Sequence, residues 1–202
     1  MIYFDNAATT KNKPTEVIDA VVNAMKNFGN SSRGVHEESL SADRIVFETR
    51  KKLAKMFNVG NSRQVVFTKN ATESLNIAIN GLFLENDHII TSVAEHNSVL
   101  RPINYLKEKG VEVSYIGVSE NGVINFDQIP SLIKANTKAI VITHASNVTG
   151  NITDLKKYGD FCRNNNLLFV VDASQTAGAF NIDMKEMNID VLCFTGHKSM
   201  LG

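Results

Sequence analysis

Three side chains of this 202-residue sequence, Lys198, Asp172 and His96, have the types that chemistry on a planar ring requires. Each lies just after a short apolar run. A lysine that follows a buried strand can form a Schiff base when its pKa is lowered. An aspartate at a strand end can hold a protonated ring nitrogen, and a histidine can stack on the face of a ring. Together, these types favour a site that holds a planar ring through a covalent bond to lysine.

The segment Asn70–Glu73 adds a place for a phosphate group. Asn70 can cap a helix and Glu73 stands at the third helical position, which is a variant of the capping box. The free N–H groups of a helix start and the Thr72 hydroxyl suit an anion, and Glu73 is expected to point back at the cap, away from it. A phosphate cradle, a Schiff-base lysine, an aspartate for a pyridinium nitrogen and an aromatic platform together describe a pyridoxal 5'-phosphate site.

Short apolar runs alternate with helical patterns from residue 64 onward. The runs predict six strands: Gln64–Thr68, His88–Val93, Val111–Ile116, Ala139–His144, Leu167–Asp172 and Val191–Phe194. The stretches between them predict four helices: Thr72–Leu84, Asn97–Lys109, Phe126–Lys134 and Thr153–Asn164. This alternation is typical of an α/β fold with a mainly parallel sheet and helices on both faces. Because parallel strands end at one edge, the polar residues that follow them are expected to converge there.

The first 60 residues have a different pattern. An extended start, Ile2–Phe4, precedes helices predicted at Pro14–Phe28 and Ser39–Phe57, with the polar loop Gly29–His36 between the two helices.

Composition excludes several classes of protein. Lys plus Arg and Asp plus Glu both number 21, so the formal net charge is zero, which argues against a binder of nucleic-acid backbones. The apolar runs are far shorter than the roughly 20 residues of a membrane span. The N-terminus lacks the features of a signal peptide, so we expect a cytoplasmic protein. The two glycine-rich nucleotide motifs, G-x-x-x-x-G-K-[ST] and G-x-G-x-x-G, are absent.

The sequence gives weaker support for a functional role of the other residues that could bind a metal or react. Glu95 and His96 are adjacent, but neither H-E-x-x-H nor a Cys/His spacing accompanies them, so no metal site is expected. Cys162 and Cys193 make no disulfide framework and are expected to be buried, inert thiols. His88 opens a predicted strand and is expected to be solvated.

Several motifs give the chain a resemblance to class V aminotransferases, and within them to the cysteine desulfurase branch. The resemblance covers essentially the whole chain. Its motifs, in order, are Asp5–Thr10, Arg33–His36, Asn70–Ser74, Glu95–Ser98, Ser146–Val148, Asp172–Gln175 and Thr195–Lys198. It implies a three-layer, fold-type-I PLP-transferase large domain, truncated before its last strand and before a smaller C-terminal domain. Residues 1–60 would pack on that domain and at a dimer interface, and residues 61–202 would form part of the cofactor-binding domain.

The resemblance also implies roles around the cofactor ring. Lys198 would hold pyridoxal 5'-phosphate as a Schiff base, and Asp172 would pair with its pyridinium nitrogen. His96 would stack on the ring and move protons. Gln175 would bond the phenolate oxygen of the ring. Asn147 would lie near that oxygen and near the substrate carboxylate.

Further roles concern the phosphate, the substrate and the partner subunit. Three residues are implied to contact the phosphate: Ala71, Thr72 and His197. Thr195 belongs to this cofactor site and stands where relatives more often have serine. Asn6 and Ala7 would border the substrate. The loop Arg33–His36 would lie near the dimer interface.

Parts of the family site have no counterpart in these residues. The nucleophilic cysteine and the arginine for the substrate carboxylate are expected beyond Gly202, and neither Cys162 nor Cys193 matches the nucleophile by position. We therefore expect the chain alone to be inactive on cysteine. Loss of a neighbouring strand is expected to leave an unpaired sheet edge or uncovered apolar surface, and either would favour self-association.

The resemblance favours a PLP-dependent enzyme that removes sulfur from L-cysteine as a persulfide, acting as a homodimer with a persulfide-acceptor protein. Two alternatives remain open at the level of sequence. The residues present serve the cofactor, so another class V aminotransferase or lyase would carry the same set. A non-catalytic scaffold fragment that dimerises is the second alternative.

Overall fold

The computed structural model describes residues 2–31 and 34–202, and these divide into two compact units. The first unit comprises the chain up to Phe67 together with Gly196–Gly202. The second unit comprises Thr68–Thr195. The roles expected for residues 1–60 and 61–202 stay predictions, and Arg33, in the loop expected near a dimer interface, lies outside the described residues.

The second unit is built on a five-stranded sheet in which all neighbouring strands are parallel. The strands are β1 (His88–Ser92), β2 (Glu112–Ile116), β3 (Thr137–Thr143), β4 (Leu168–Asp172) and β5 (Val191–Cys193). Their order in space is β2-β1-β3-β4-β5. This confirms the predicted parallel α/β sheet.

Four α-helices accompany the strands in this unit: α3 (Ala71–Leu82), α4 (Asn97–Glu108), α5 (Ile129–Leu132) and α6 (Leu155–Asn164). The helices expected at Thr72–Leu84 and Asn97–Lys109 are confirmed within two residues. The third expected helix, over Phe126–Lys134, is shorter: a 3-10 turn at Phe126–Gln128 leads into α5.

Helices pack on both faces of the sheet, because successive strand residues point to opposite faces. Val170 of β4 belongs to a core cluster that contains Leu75 of α3 and Ile103 of α4. The preceding residue, Phe169, stacks on Tyr158 of α6 with ring centroids 6.5 Å apart. The apolar runs of the sequence are continuous for this reason: both faces of the sheet are buried.

The described residues of the first unit contain two helices and a short 3-10 turn. They are α1 (Thr15–Asn27), α2 (Glu37–Met56) and the turn Ser62–Gln64. α1 is amphipathic but has no buried residue. In α2, by contrast, Ser39, Ala42 and Ala54 are buried.

The strand predicted at Gln64–Thr68 is wrong. Gln64 closes the 3-10 turn, and Val65 has an extended backbone whose N–H bonds to Ser62 and whose carbonyl accepts from Arg50. Val66 is 71% exposed. The apolar, β-branched composition favours an extended backbone, but a strand also requires a hydrogen-bonded neighbour, and none pairs with this segment among the described residues.

The expectation that His88 is solvated is also wrong, since His88 is fully buried at the start of β1. Its Nδ1 bonds to the Thr137 hydroxyl at 2.7 Å and its Nε2 to the Ser114 hydroxyl at 2.9 Å. Both partners lie on the strands that flank β1. The first residue of an inner strand is covered by the strands on both sides, and the two hydroxyls give both ring nitrogens of His88 a hydrogen-bond partner. Burial lowers the pKa of His88, so the ring is neutral there.

Within residues 2–31 and 34–202, no helix has the length and apolar character needed to cross a membrane.

Candidate functional site

The carboxyl edge of the sheet collects polar side chains next to a reversal of strand order. β1 lies between β2 and β3, so the chain leaves β1 to one side first and returns on the other side. Open α/β sheets bind ligands outside the carboxyl ends of strands at such a point. The loops after β1 and β3 carry His96 and Asn147, and β4 ends in Asp172.

The start of α3 has the geometry of an anion site. The side chain of Asn70 accepts from the Glu73 N–H at 2.9 Å, which confirms the predicted N-cap. The Glu73 carboxylate turns back and accepts from the Lys69 N–H, one residue before the cap. The backbone N–H groups of Ala71 and Thr72 make no hydrogen bond within the described residues. Two unpaired donors at a helix N-terminus, with the acidic side chain turned away, fit a phosphate.

His96 is tied to that helix start through Ser98. His96 is the N-cap of α4, where its Nδ1 accepts from the Ser98 N–H at 3.1 Å. The Ser98 hydroxyl lies 2.8 Å from the same Nδ1 and 2.9 Å from the Thr72 hydroxyl. The loop after β1 and the start of α3 are therefore joined by side chains, and the exposed His96 ring has a fixed anchor.

Asp172 is buried at the end of β4. Its Oδ1 accepts from both the N–H and the hydroxyl of Ser174. The Ala173 N–H bonds to the Cys193 carbonyl at 2.8 Å, so the turn after β4 is held by β5. Gln175 follows this turn and is half-buried, and Thr195 is buried just past β5. A buried carboxylate with one oxygen engaged fits the partner of a protonated ring nitrogen.

Glu95 is a second buried carboxyl group at this edge. Burial raises the pKa of Glu95 to about 8, and the charge of Asp172 acts in the same direction, against the opposing effects of the Ser92 hydroxyl and the Thr143 backbone. Glu95 is therefore largely protonated at neutral pH. Two ionised carboxylates in one buried site repel each other, which is why the neighbouring Asp172 adds to the rise in the pKa of Glu95.

The residues after β3 differ sharply in exposure. His144 is buried against Phe180, with ring centroids 5.9 Å apart, and burial lowers its pKa to about 4. It is therefore a neutral ring beside Asp172, to whose carbonyl the His144 N–H donates. Asn147 is exposed and lies in a turn. The Ser146 side-chain oxygen closes this turn by accepting from the Val148 and Thr149 N–H groups.

Lys198 belongs to the first unit, where the N-terminal motif holds its backbone. The Thr10 hydroxyl donates to the Lys198 carbonyl at 2.5 Å. The Thr10 N–H and the Lys13 ammonium both donate to the His197 carbonyl at 3.1 Å. The Thr9 hydroxyl lies 3.0 Å from His197 Nδ1. These hydrogen bonds hold residues 9–13 against the turn that carries the lysine.

Asn6 and Ala7 form a turn in the same unit, closed by the Ala8 and Thr9 N–H groups on the Asp5 carbonyl. Asn6 also lines a cavity of about 240 Å³, together with Tyr3, Thr10, Lys11 and Asn12. The assignment of Asn6 and Ala7 to the substrate stays a prediction.

Both cysteines are buried and free, as predicted. Burial raises the pKa of Cys162 and of Cys193 to about 12 in each case, and nearby carboxylates add to the effect. A thiol with such a pKa carries almost no thiolate at neutral pH.

Sequence reasoning missed three groups of site residues. It named the motif that contains Ser98 but gave no role to the hydroxyl that links His96 and Thr72. It placed Glu95 in the motif Glu95–Ser98 and weighed it with His96 for a metal site, but it did not predict the burial of this second carboxyl group. It assigned Asn6 and Ala7 of the N-terminal motif but not Thr9, Thr10 and Lys13, which hold the lysine turn. The hydroxyls carried no signal in the sequence, because serine and threonine are ordinary at helix starts and turns.

Comparison with known proteins gives a consistent result. A family model described as "Aminotransferase class-V" matches residues 2–202. Cysteine desulfurase IscS of Buchnera aphidicola subsp. Baizongia pistaciae is 36% identical, over 98% of this chain and 50% of the relative. A probable mitochondrial cysteine desulfurase of Dictyostelium discoideum is 35% identical, over 98% of this chain and 44% of the relative. The chain spans about half the length of these curated relatives.

Solved structures show the same likeness. The apo structure of the cysteine desulfurase from Thermococcus onnurineus NA1 superposes with a TM-score of 0.92 at 34% identity, covering all of this chain and 51% of that one. The structure described as SspA in complex with cysteine gives a TM-score of 0.93 at 30% identity, covering all of this chain and 58% of that one.

Proposed function

Because the chain belongs to the class V aminotransferase family, with cysteine desulfurases among its relatives, we propose that it forms the cofactor-binding part of a PLP-dependent cysteine desulfurase. The observation that carries the proposal is the anchored group on the second unit: the start of α3, His96 on Ser98, and Asp172 at the end of β4. When bound, pyridoxal 5'-phosphate supplies an electron sink for bond breaking at the substrate α-carbon.

Each residue group has its own task in this proposal. The Ala71 and Thr72 N–H groups bind the phosphate, with His197 and Thr195 beside it. Asp172 keeps the ring nitrogen protonated. His96 covers the ring and carries protons, and Gln175 bonds the ring oxygen. Asn147, Asn6 and Ala7 border the substrate. Lys198 attaches the cofactor covalently.

We also propose the substrate and the partners. L-cysteine is supported by relatives that are cysteine desulfurases and by a similar structure described as a complex with cysteine. A persulfide-acceptor protein would then receive the sulfur. Another class V aminotransferase or lyase reaction is the alternative. The two are separated by whether L-cysteine or another amino acid changes the visible spectrum of the chain loaded with pyridoxal 5'-phosphate.

The attachment is tested by incubating the purified chain with pyridoxal 5'-phosphate, recording the visible spectrum, reducing with borohydride and mapping the labelled peptide. We expect a yellow species and label on Lys198. Lys198→Ala should abolish both, whereas Lys156→Ala, at an exposed lysine of α6 paired with Asp160, should change neither. Label spread over surface lysines, or no label on a folded chain, would contradict the proposal.

We propose further that the 202-residue chain alone does not turn over cysteine, because its two thiols are buried and protonated. A persulfide needs an accessible thiolate. Sulfide production from L-cysteine by the purified chain, lost in Lys198→Ala, would overturn this.

The remaining proposal is that the chain forms a homodimer. The same experiment tests the alternative of a non-catalytic scaffold that dimerises. Four apolar residues on one face of α1 are 42–82% exposed: Ile18, Val21, Val22 and Met25. An amphipathic helix with an exposed apolar face favours a partner, and a second copy is the occupant we propose.

Val21→Glu should shift the sedimentation profile to monomer, whereas Asn23→Glu on the polar side should not. A wild-type chain that sediments as a monomer would contradict the dimer. A dimer without cofactor attachment would favour the scaffold.

A further inference from the structure

Three polar side chains form a continuous hydrogen-bonded line at the carboxyl edge of the sheet. Thr72 Oγ1 lies 2.9 Å from Ser98 Oγ, and Ser98 Oγ lies 2.8 Å from His96 Nδ1. The Ser98 N–H donates to the same Nδ1 at 3.1 Å. Ser98 is only 8% exposed, so water does not readily replace its hydroxyl. Which of these groups donates and which accepts is therefore decided by the three side chains themselves.

The backbone bond fixes that direction. Since His96 Nδ1 accepts from the Ser98 N–H, Nδ1 carries no proton and the neutral ring has its proton on Nε2. The Ser98 hydroxyl faces the same lone pair, so it must donate to Nδ1. Its oxygen then accepts from the Thr72 hydroxyl. All hydrogens thus run from Thr72 towards His96.

An anion at the start of α3 conflicts with this arrangement. With its proton committed to Ser98, the Thr72 hydroxyl can offer only lone pairs to a phosphate oxygen, which also offers lone pairs. When the Thr72 hydroxyl donates to the anion, its oxygen can accept from the Ser98 hydroxyl, which is the reverse of the first arrangement. The Ser98 oxygen then presents a lone pair to His96, and this is favourable only when Nδ1 carries a proton.

We propose that Ser98 is a positioning residue that couples an anion on Thr72 to the position of the proton on His96. Anion binding turns both hydroxyls around, Nδ1 takes a proton from water and loses its hydrogen bond from the Ser98 N–H, and Nε2 gives its proton to water. No net proton is taken up, and no covalent bond other than N–H is made or broken. The exposed His96 ring then has a bare Nε2, a proton acceptor, only when the anion is in place. The coupling is reciprocal, as linkage requires. This inference rests on the proposed function, because the anion is the phosphate of the cofactor.

The test is the tautomer of His96, read by long-range proton–nitrogen NMR on the full chain labelled with ¹⁵N-histidine. The chain has five histidines, and His96→Gln assigns the signal. Inorganic phosphate, pyridoxal 5'-phosphate and pyridoxal without phosphate are added in turn at neutral pH, and phosphorus NMR reports whether phosphate binds. We expect the proton to move from Nε2 to Nδ1 with either phosphate-bearing probe and to stay on Nε2 with pyridoxal.

Two variants and one control separate the coupling from a simple charge effect. Ser98→Ala removes the bridging hydroxyl, and Thr72→Val removes the first hydroxyl while keeping its shape; both should leave the proton on Nε2 with phosphate bound. The control is Ser114→Ala, which removes a hydroxyl that bonds His88 instead and should leave the His96 response intact.

The outcomes are distinct. Bound phosphate with the proton still on Nε2, or a response that survives in Ser98→Ala, overturns the coupling and leaves the proposed function standing. A doubly protonated ring overturns it as well, because phosphate would then act on His96 through charge alone. If neither phosphate nor pyridoxal 5'-phosphate binds, the proposed cofactor site fails and the coupling falls with it.

Discussion

The Ser92 hydroxyl donates a 2.5 Å hydrogen bond to Oε1 of the buried Glu95 carboxyl group, whose Oε2 has no hydrogen-bond partner among the described residues. Burial raises the pKa of Glu95 to about 8, so the folded chain binds a proton that the unfolded chain releases near pH 4.5. The group therefore contributes most to stability below pH 4.5, and this contribution is lost as the pH rises towards 8.

The free energy of unfolding should consequently fall with pH, by about 1.4 kcal/mol per pH unit from this group alone. The interval from pH 6.5 to 8 is the cleanest, because His144, whose folded pKa is about 4, changes stability only below 6.5. Urea denaturation should show a loss of about 2 kcal/mol across that interval in the wild type relative to Glu95→Gln. Glu108→Gln, at an exposed carboxylate of α4, should keep the wild-type slope. Parallel curves for the wild type and Glu95→Gln would show that Glu95 is ionised when folded.

The N-cap of α3 should matter for both stability and cofactor binding. Asn70→Ala removes the acceptor for the Glu73 N–H and should lower the free energy of unfolding by about 1 kcal/mol. Asp154→Ala removes the matching cap of α6, on the Lys157 N–H, and should lower it by about the same amount. Only Asn70→Ala should weaken binding of pyridoxal 5'-phosphate in an absorbance titration. Equal affinity in the two variants would place the phosphate elsewhere.

Two glycines inside helices should respond in opposite ways to alanine. A Cβ at Gly159 of α6 would lie 1.8 Å from the Met187 carbonyl oxygen, so Gly159→Ala should destabilise the chain by at least about 2 kcal/mol. A Cβ at Gly81 of α3 meets no atom within 4 Å. Gly81→Ala should therefore stabilise the chain by roughly 0.5–1 kcal/mol, the helix propensity difference. Thermal denaturation of both variants checks this, and a neutral Gly159→Ala would mean that α6 and the Met187 loop separate easily.

The buried thiols should be inert in the native chain. A disulfide reagent such as dithiobis(nitrobenzoate) should label neither Cys162 nor Cys193 at neutral pH before unfolding, and both in urea, because burial raises both pKa values to about 12. Cys162→Ala and Cys193→Ala identify the site of any labelling. Rapid labelling of one thiol under native conditions would show an exposed thiolate and would reopen that residue as a nucleophile.

Local sequence signals predicted much of the second unit. The Asn70 cap, the helices at α3 and α4, and five of the six expected strands follow from capping chemistry and apolar runs, which act over a few residues. The burial of Cys162 and Cys193 followed in the same way from their positions on a predicted helix and inside an apolar strand.

The failures share a non-local cause. The segment Gln64–Thr68 has the composition of a strand, yet strand formation depends on a neighbour that local composition cannot supply. His88 looked like a solvated strand opener, but the strands on either side bring the hydroxyls of Thr137 and Ser114 to its ring. Burial of a polar side chain is decided by what packs over it.

The sequence by itself determined the family, the parallel α/β sheet and the identity of the residues suited to a phosphorylated, ring-bearing cofactor, because motif spacing and hydrophobic pattern are properties of the linear chain. Only the tertiary structure decided which side chains meet. It brought the hydroxyl of Thr72 to that of Ser98, 26 positions further along the chain. It brought Thr10 to the carbonyl of Lys198, 188 positions away, and it buried Glu95 beside Asp172. Hydrogen bonds and charge interactions depend on distances in space, and those distances are set by how the elements pack.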